Sequence, residues 1–293
     1  MKNYRMRYAI IANPTSGTMT IAQKRSILMK AAEILDAPIH GLDTTTSDEL
    51  CRCARELAAH CDVLVTAGGD GTLSHIINAI DTTRTPVAFF PLGTGNAMQH
   101  ALNYKGSVAD IAMRIRDGEI HQYDLIDCQG KRRAFMVSVG FEGTITQLRD
   151  YYLTRGHTGF KTYLVPCMYT YFSKYKRTNA EITLDDTTFE VANLLSLMVV
   201  KQPYYGYRMK MVPGARFDDR LLHILCVNSG LVMCALGVAT TFTIGNRVGQ
   251  YRTGHHLAVK LERPLPLQID GNPSWSADVF TFTVLPRALK IKC

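Results

Sequence analysis

The run Thr66-Ala67-Gly68-Gly69-Asp70-Gly71-Thr72-Leu73 sets three glycines around one aspartate. It follows an apolar stretch, Asp62-Val63-Leu64-Val65, and opens a helical pattern at Leu73, Ile76, Ile77 and Ile80. Glycines at a strand-to-helix junction let backbone N–H groups approach a phosphate closely, and the helix N-terminus attracts its charge. A carboxylate in the same turn can hold a metal ion or take a proton beside those phosphates. A turn made only for packing would need one glycine, or two.

Two further runs have the same character. Tyr8-Ala9-Ile10-Ile11-Ala12 reads as a buried strand and ends in Asn13-Pro14-Thr15-Ser16-Gly17-Thr18. Val87-Ala88-Phe89-Phe90 ends in Pro91-Leu92-Gly93-Thr94-Gly95-Asn96-Ala97. In an open α/β sheet, loops at the carboxyl ends of the strands converge on one crevice.

The elements that must carry these loops follow from the hydrophobic pattern. From Tyr8 to about Asp117, strands alternate with helical patterns over Ile21–Leu35, Asp48–His60, Leu73–Ile80, Asn96–Leu102 and Val108–Arg116. Such alternation means a mostly parallel sheet with helices on both faces, a Rossmann-like three-layer α/β domain. From about Glu119, strand-like runs dominate: Gln122–Cys128, Ala134–Val139, Ala180–Leu184, Leu194–Val200, Leu222–Val227, His256–Leu261, Leu267–Ile269 and Val279–Val284. The expected organisation is residues 1–118 as the α/β domain and 119–285 as an antiparallel, β-rich second domain with short helices inserted. The substrate cleft is expected between the two.

Composition narrows the class. The eight cysteines show no C-x-x-C spacing of a zinc or redox site, so reduced thiols and a cytoplasmic location are expected. The N-terminal apolar run, Tyr8–Ala12, is too short for a signal sequence. Leu231–Ile244 is the longest apolar stretch, short of a membrane span, and reads as a core helix, with a membrane-dipping segment as the other reading. The net charge of +8 suits an anionic membrane surface. Lys131-Arg132-Arg133, Lys174-Tyr175-Lys176-Arg177 and Arg5/Arg7 are the candidate patches; no nucleic-acid-binding motif accompanies them. Phe160–Phe172 reads as a helix packed on the second domain or as part of an apolar channel. Tyr204-Tyr205-Gly206-Tyr207 reads as a loop with surface aromatics, or as a contact with a lipid interface.

Asn-Pro-x-Ser-Gly, Gly-Gly-Asp-Gly-Thr and Pro-x-Gly-Thr-Gly-Asn, in this order and spacing, resemble the diacylglycerol kinase, sphingosine kinase and ceramide kinase catalytic family. Val212-Pro213-Gly214-Ala215-Arg216-Phe217-Asp218-Asp219-Arg220-Leu221-Leu222 is similar to that family's Pro-x-Ala-x-x-Asp-Asp-Gly-x-Leu segment. Leu267-Gln268-Ile269-Asp270-Gly271 is similar to its C-terminal Asp-Gly-Glu strand end. The resemblance spans nearly the whole chain. It implies that the second domain is a β-sandwich and that the final strand, within 286–293, returns to the first domain. It also implies an ATP- and Mg²⁺-dependent lipid kinase, peripheral on a membrane, with a lipid hydroxyl as acceptor; a homodimer stays open.

Phosphoryl transfer needs phosphates held still, charge neutralised and an acceptor hydroxyl aligned. The resemblance implies a nucleotide site made of Asn13, Ser16, Gly17, Gly68, Gly69, Asp70, Gly71, Thr72, Gly93, Thr94 and Asn96, with Thr72 and Asn96 adding side-chain hydrogen bonds. Thr45 stands at the end of the second strand, Ile39–Leu42, where related kinases contact the nucleotide. Asp70 and Asp270 are the candidate catalytic residues. Asp218, Asp219 and the carbonyl of Leu221 resemble a second magnesium site, with a plain surface turn as the other reading.

Two departures matter. The family's Asp-Gly-Glu is here Asp270-Gly271-Asn272, and an amide is not a useful base. The run Gly93-Thr94-Gly95-Asn96-Ala97-Met98 is more like that of sphingosine kinases, which assign the base to the aspartate of the Gly-Gly-Asp-Gly loop, here Asp70. A nucleotide-binding pseudokinase and a soluble small-molecule kinase, such as an NAD kinase, are the alternatives.

Overall fold

The structure is a computed structural model that describes residues 6–153, 155, 169–170, 175 and 177–293. The Phe160–Phe172 reading and the Lys174 and Lys176 charges lie largely outside the described residues. Two compact units emerge: Met1–Leu125 with Tyr204–Met209 and Pro286–Cys293, and Ile126–Pro203 with Lys210–Leu285. The boundary expected after residue 118 falls after Leu125, and Tyr204–Met209 joins the first unit.

In the first unit, β1 (Tyr8–Ala12), β2 (Ile39–His40), β3 (Val63–Gly68) and β4 (Val87–Pro91) form a parallel sheet in the order β2-β1-β3-β4. Every residue of β1 and β3 is buried, as strands covered on both faces must be. The strand order explains the layers. The chain crosses one way from β1 to β2 through α1 (Ile21–Leu35), then back the other way through α2 (Ser47–Ala58) and α3 (Asp70–Ala79). Right-handed crossovers in opposite directions put helices on opposite faces. Accordingly α2 packs on α3, and α1 packs on α5 (Val108–Asp117), with the short α4 (Ala97–Ala101) after β4.

Local chemistry starts these helices. Thr20 and Gln23 form a reciprocal capping box on α1, as Ser107 and Asp110 do on α5. Beyond these elements the chain runs through β5 (Ile120–Cys128) and β6 (Arg132–Ala134), which pair antiparallel.

The second unit is antiparallel. Its strands are β7 (Met136–Gly140), β8 (Thr178–Leu184), β9 (Thr187–Leu194), β10 (Ser196–Val200), β11 (Leu222–Val227), β12 (Gln250–Gly254), β13 (His256–Ile269) and most of β14 (Asn272–Lys292). The long strand β13 serves two ladders: Leu257–Leu261 pairs with β8, and Leu267–Ile269 pairs with β7. Its register against β14 shifts between Lys260 and Leu265, where the partner on its other edge changes from β8 to β7. A strand that changes sheets at an irregularity is how a sandwich closes its corner. Val137, Ile182, Leu197, Ile224, Val259 and Phe280 meet in the core between the layers.

Helix α6 (Phe141–Leu153) interrupts this β-rich stretch. A larger difference concerns α7 (Leu231–Thr241). The segment is helical, but only Gly237 and Thr241 are buried, so it is not a core helix. The last strand returns to the first unit, where Ile291 pairs parallel with Val87. Lys292 donates to the Gly118 carbonyl there.

Candidate active site

Three loops at the carboxyl ends of β1, β3 and β4 meet in the first unit, and glycines are what let them meet. A Cβ on Gly93 would lie 2.4 Å from the Gly69 Cα, and one on Gly17, which sits at φ +68°, would lie 2.3 Å from the Leu92 carbonyl oxygen. No real side chain tolerates such contacts, so the loops touch backbone to backbone. Hydrogen bonds fix the arrangement. The Asn13 amide N–H donates to Ala67 (3.0 Å), and those of Leu92 and Gly93 donate to the Gly68 carbonyl (2.8 and 3.1 Å).

Asp70 ties this cradle to the next helix. Its Oδ2 accepts from the Ala97 N–H at 2.8 Å and its Oδ1 from the Met98 N–H at 3.0 Å, both in the first turn of α4. Helix α3 begins at Asp70 itself, three residues earlier than the apolar pattern indicated. The carboxylate therefore stands in the first turn of α3, where N–H groups lack intrahelical partners. Burial pushes its pKa up, while the N–H groups of Met98, Ala97 and Asp70 pull the other way. The net rise makes Asp70 a better base than an exposed aspartate.

The side chains of Thr72 and Asn96 are tied to the loops themselves. Asn13 Nδ2 donates to Thr72 Oγ1 at 2.9 Å, and Thr72 packs against Gly68. Asn96 sits at φ +44°, accepts from the Gly93 N–H at 3.1 Å and donates to the Gly93 carbonyl at 2.9 Å. Both shape the loops. Thr45 is exposed, and its N–H and hydroxyl donate to Glu49 Oε2 (2.7 and 2.9 Å), which serves the start of α2.

Several residues escaped sequence reasoning. Lys24 on α1 is fully buried and donates to the carbonyls of Asn13 (3.0 Å) and Pro14 (2.6 Å). It holds the first loop from beneath, and burial lowers its pKa. Tyr204–Tyr207, expected as a loop of surface aromatics or a lipid-interface contact, is half-buried, and Tyr204–Met209 folds onto the third loop. Tyr207 N–H donates to the Gly95 carbonyl at 3.0 Å, a Cβ on Gly95 would lie 3.3 Å from the Gly206 Cα, and the Tyr204 ring lies against His100. The Gly95/Gly206 pair was the available signal, but its partners are more than a hundred residues apart. In the second unit, Glu142 on α6 is a further enclosed carboxylate; it accepts from the Ser196 hydroxyl, and burial raises its pKa.

Asp270 is not placed to touch a ligand. It is fully buried; its Oδ1 accepts from the N–H groups of Phe135 (3.1 Å) and Met136 (2.9 Å), and its own N–H donates to Met136. Asp270 and Gly271 have φ of +49° and +84° between the paired residues Ile269 and Asn272. This is a two-residue hairpin turn of the kind that Asp-Gly favours. The catalytic reading of Asp270 is therefore replaced by an anchoring one.

The metal reading of Asp218, Asp219 and Leu221 also changes. Lys201, fully buried on the segment after β10, donates through Nζ to Asp219 Oδ1 at 2.8 Å and to the Leu221 carbonyl at 2.6 Å. Those are the oxygen atoms a cation would take. Asp219 Oδ2 lies 2.8 Å from His223 Nε2, and His223 Nδ1 lies 2.6 Å from the Tyr251 hydroxyl. Burial pushes the Asp219 carboxyl up, but Lys201, the Leu221 N–H and His223 outweigh it and hold it below its ordinary value. Asp218 is exposed and stands 3.9 Å from Arg216. A lysine ammonium already fills this oxygen cluster, so it does not suit a divalent ion.

The close loop contacts make one expected result. Gly93→Ala should force Gly69 and Gly93 apart, costing about 1–3 kcal/mol of stability and raising the KM for ATP. Gly230→Ala, whose added Cβ meets nothing within 4 Å, is the control: it should leave the KM unchanged and cost less than about 1 kcal/mol, from its place as the N-cap of α7. Urea denaturation and ATP titration of the two variants check this.

A parallel α/β sheet whose glycine-bearing loops meet at its carboxyl edge is joined in sequence to an antiparallel sandwich. The family model for the diacylglycerol kinase catalytic domain matches residues 7–128, and that for the YegS C-terminal NAD kinase beta sandwich-like domain matches residues 135–293. The chain belongs to this diacylglycerol kinase family. It is 26% identical over 287 residues to a diacylglycerol kinase of Staphylococcus saprophyticus, covering 91% of this chain and 89% of the relative. It is 22% identical over 275 residues to a diacylglycerol kinase of Bacillus subtilis, covering 90% and 89%. The fold is similar to the crystal structure of a diacylglycerol kinase from Bacillus anthracis, with a TM-score of 0.76 at 18% identity over 99% and 98% of the two chains. It is also similar to an NAD kinase from Archaeoglobus fulgidus in complex with ATP, with a TM-score of 0.54 at 12% identity over 98% and 94%.

Proposed function

We propose that this protein transfers the γ-phosphate of ATP, with Mg²⁺, to a hydroxyl of a membrane lipid. The observation that carries the reading is Asp70, whose carboxylate is held between the first turns of α3 and α4 beside the three-loop cradle. The cradle suits the phosphates: its glycines leave room for close approach, and the N-terminus of α3 supplies N–H groups and a favourable dipole. Mg²⁺ is held chiefly by phosphate oxygens and one or two carboxylates, so it would enter with the nucleotide, and Asp70 is the carboxylate at hand. Each Asp70 oxygen accepts one N–H, which leaves lone pairs to orient the acceptor hydroxyl and take its proton. Asp219 has no part in this, since Lys201 already neutralises it.

The relatives named diacylglycerol kinase favour diacylglycerol as acceptor. The Gly93–Met98 run and Asn272 favour a sphingoid or ceramide-like lipid. Asn272 also supports a second reading, a pseudokinase that binds nucleotide without transfer. The test is transfer of labelled γ-phosphate to diacylglycerol, sphingosine, dihydrosphingosine, ceramide, monoacylglycerol and NAD. A labelled lipid upholds the proposal and names the acceptor. Label in NAD would replace it with a soluble small-molecule kinase.

Asn272→Glu extends the panel. A rise in transfer means that the site works with a glutamate base of the diacylglycerol type; an unchanged or lower rate leaves Asp70 as the base. If the wild type binds ATP but labels nothing, and Asn272→Glu restores transfer, the pseudokinase reading holds. Among the described residues no helix is long and apolar enough to cross a membrane, so the proposal is for peripheral attachment.

A further inference from the structure

Helix α7 is turned the wrong way round for a core helix. Its packed side is a narrow line of small residues, Cys234, Gly237 and Thr241; a Cβ on Gly237 would meet Asn246 at 2.8 Å and Val248 at 3.1 Å. Its large side chains point outward. Val232 is 73% exposed, Leu236 54%, Phe242 55% and Ile244 62%, and Leu231, Met233 and Val238 are exposed with them. A surface helix normally shows water a polar face. This one has no charged residue from Leu231 to Gly245. A contiguous exposed apolar surface of this kind marks an interaction site.

The surrounding charge says what it fits. Arg247 follows the turn after α7, and the sequence between Asp219 and Glu262 contains no Asp or Glu. Lys210 adjoins the C-terminal end of α7, donating its N–H to Thr241 (3.0 Å) and accepting from Asn246 (2.9 Å). At the N-terminal end the Arg177 guanidinium donates to the carbonyls of Asn228 and Ser229 just before the helix. The helix of 11 residues is about 16 Å long, too short to span a bilayer but suited to lie in its interface. A second copy of this chain is the poorer occupant: each carries a net charge of +8, and a two-fold pairing would set like charges against each other.

We propose that α7 and the turn after it, through Ile244, dock this protein on an anionic membrane surface. The apolar side chains enter the boundary between headgroups and acyl chains, and the flanking cations meet lipid phosphates. The purpose of this surface rests on the lipid-acceptor reading above, but its existence does not. Co-sedimentation with vesicles of phosphatidylglycerol in phosphatidylcholine tests it, with Val232→Glu/Leu236→Glu as the variant. Both side chains are exposed, so the melting temperature should not change. The wild type should bind, more weakly as salt rises or phosphatidylglycerol falls. The variant should lose at least about tenfold in partitioning, from two apolar side chains that no longer leave water.

Failure of the wild type to bind vesicles would overturn the proposal, as would equal binding by the variant. So would a wild-type dimer that the variant splits without any vesicle binding. Transfer to a detergent-dispersed lipid separates the two readings. If both proteins phosphorylate it equally, the kinase reading stands whatever the vesicles show. Vesicle binding without transfer to any lipid upholds the surface and removes the kinase.

Discussion

Asp70→Asn should lower phosphoryl transfer about 10²–10⁴-fold, the range for loss of a general base. The structure adds a second consequence. Ala97 and Met98 both donate N–H groups to this carboxylate, and an amide can present an oxygen to only one of them. The variant should therefore also lose roughly 1–3 kcal/mol, the cost of one buried donor left unmet. Asp70→Glu separates the roles. It restores a base but not the distances, so a base role predicts partial recovery of kcat with the rising, low-pH limb of its profile shifted to the new carboxylate. A positioning role predicts none, with KM for ATP raised in both variants. Wild-type turnover in Asp70→Asn would remove Asp70 from the reaction altogether.

Lys201→Met should cost about 3 kcal/mol, the lower end for breaking a buried charge pair, because Asp219 keeps 21% of its side chain exposed. The loss comes from Asp219 Oδ1 and the Leu221 carbonyl, which share the ammonium. In the wild type the melting temperature of the nucleotide-free protein should not respond to millimolar Mg²⁺. The smaller Lys201→Ala should respond, because the same two oxygens then face an open space. A saturable Mg²⁺-dependent rise in the wild type, abolished by Asp219→Asn, would return a metal ion to this position.

These two residues mark the two limits of sequence reading. Asp70 was found because its signal is local: glycines, a strand and a helix start lie within eight residues. Lys201 stands eighteen residues from Asp219 on another part of the β-sheet unit, and nothing in either segment announces the pairing. Asp270 misled for a related reason. Asp-Gly is a strong local signal for a hairpin turn and also resembles a functional motif, and only burial showed that the turn governs. Thr72 and Asn96 were placed in the right loops, yet their partners are other loop atoms, since a backbone held in tight turns must have its own hydrogen bonds met first.

By itself the sequence determined what depends on neighbours in the chain. Alternating strand and helix periods specified the α/β half, strand-like runs specified the antiparallel half, and three glycine-bearing loops marked one candidate site. Tertiary structure decided which long-range partners each polar group and each apolar face would have. It put Lys201 in the oxygen cluster, set Tyr204–Met209 on the Gly95 loop, and turned α7 outward. Periodicity reports that a helix has an apolar side. It does not report whether the rest of the fold covers that side, and for a helix apolar all round only packing decides which narrow line faces in.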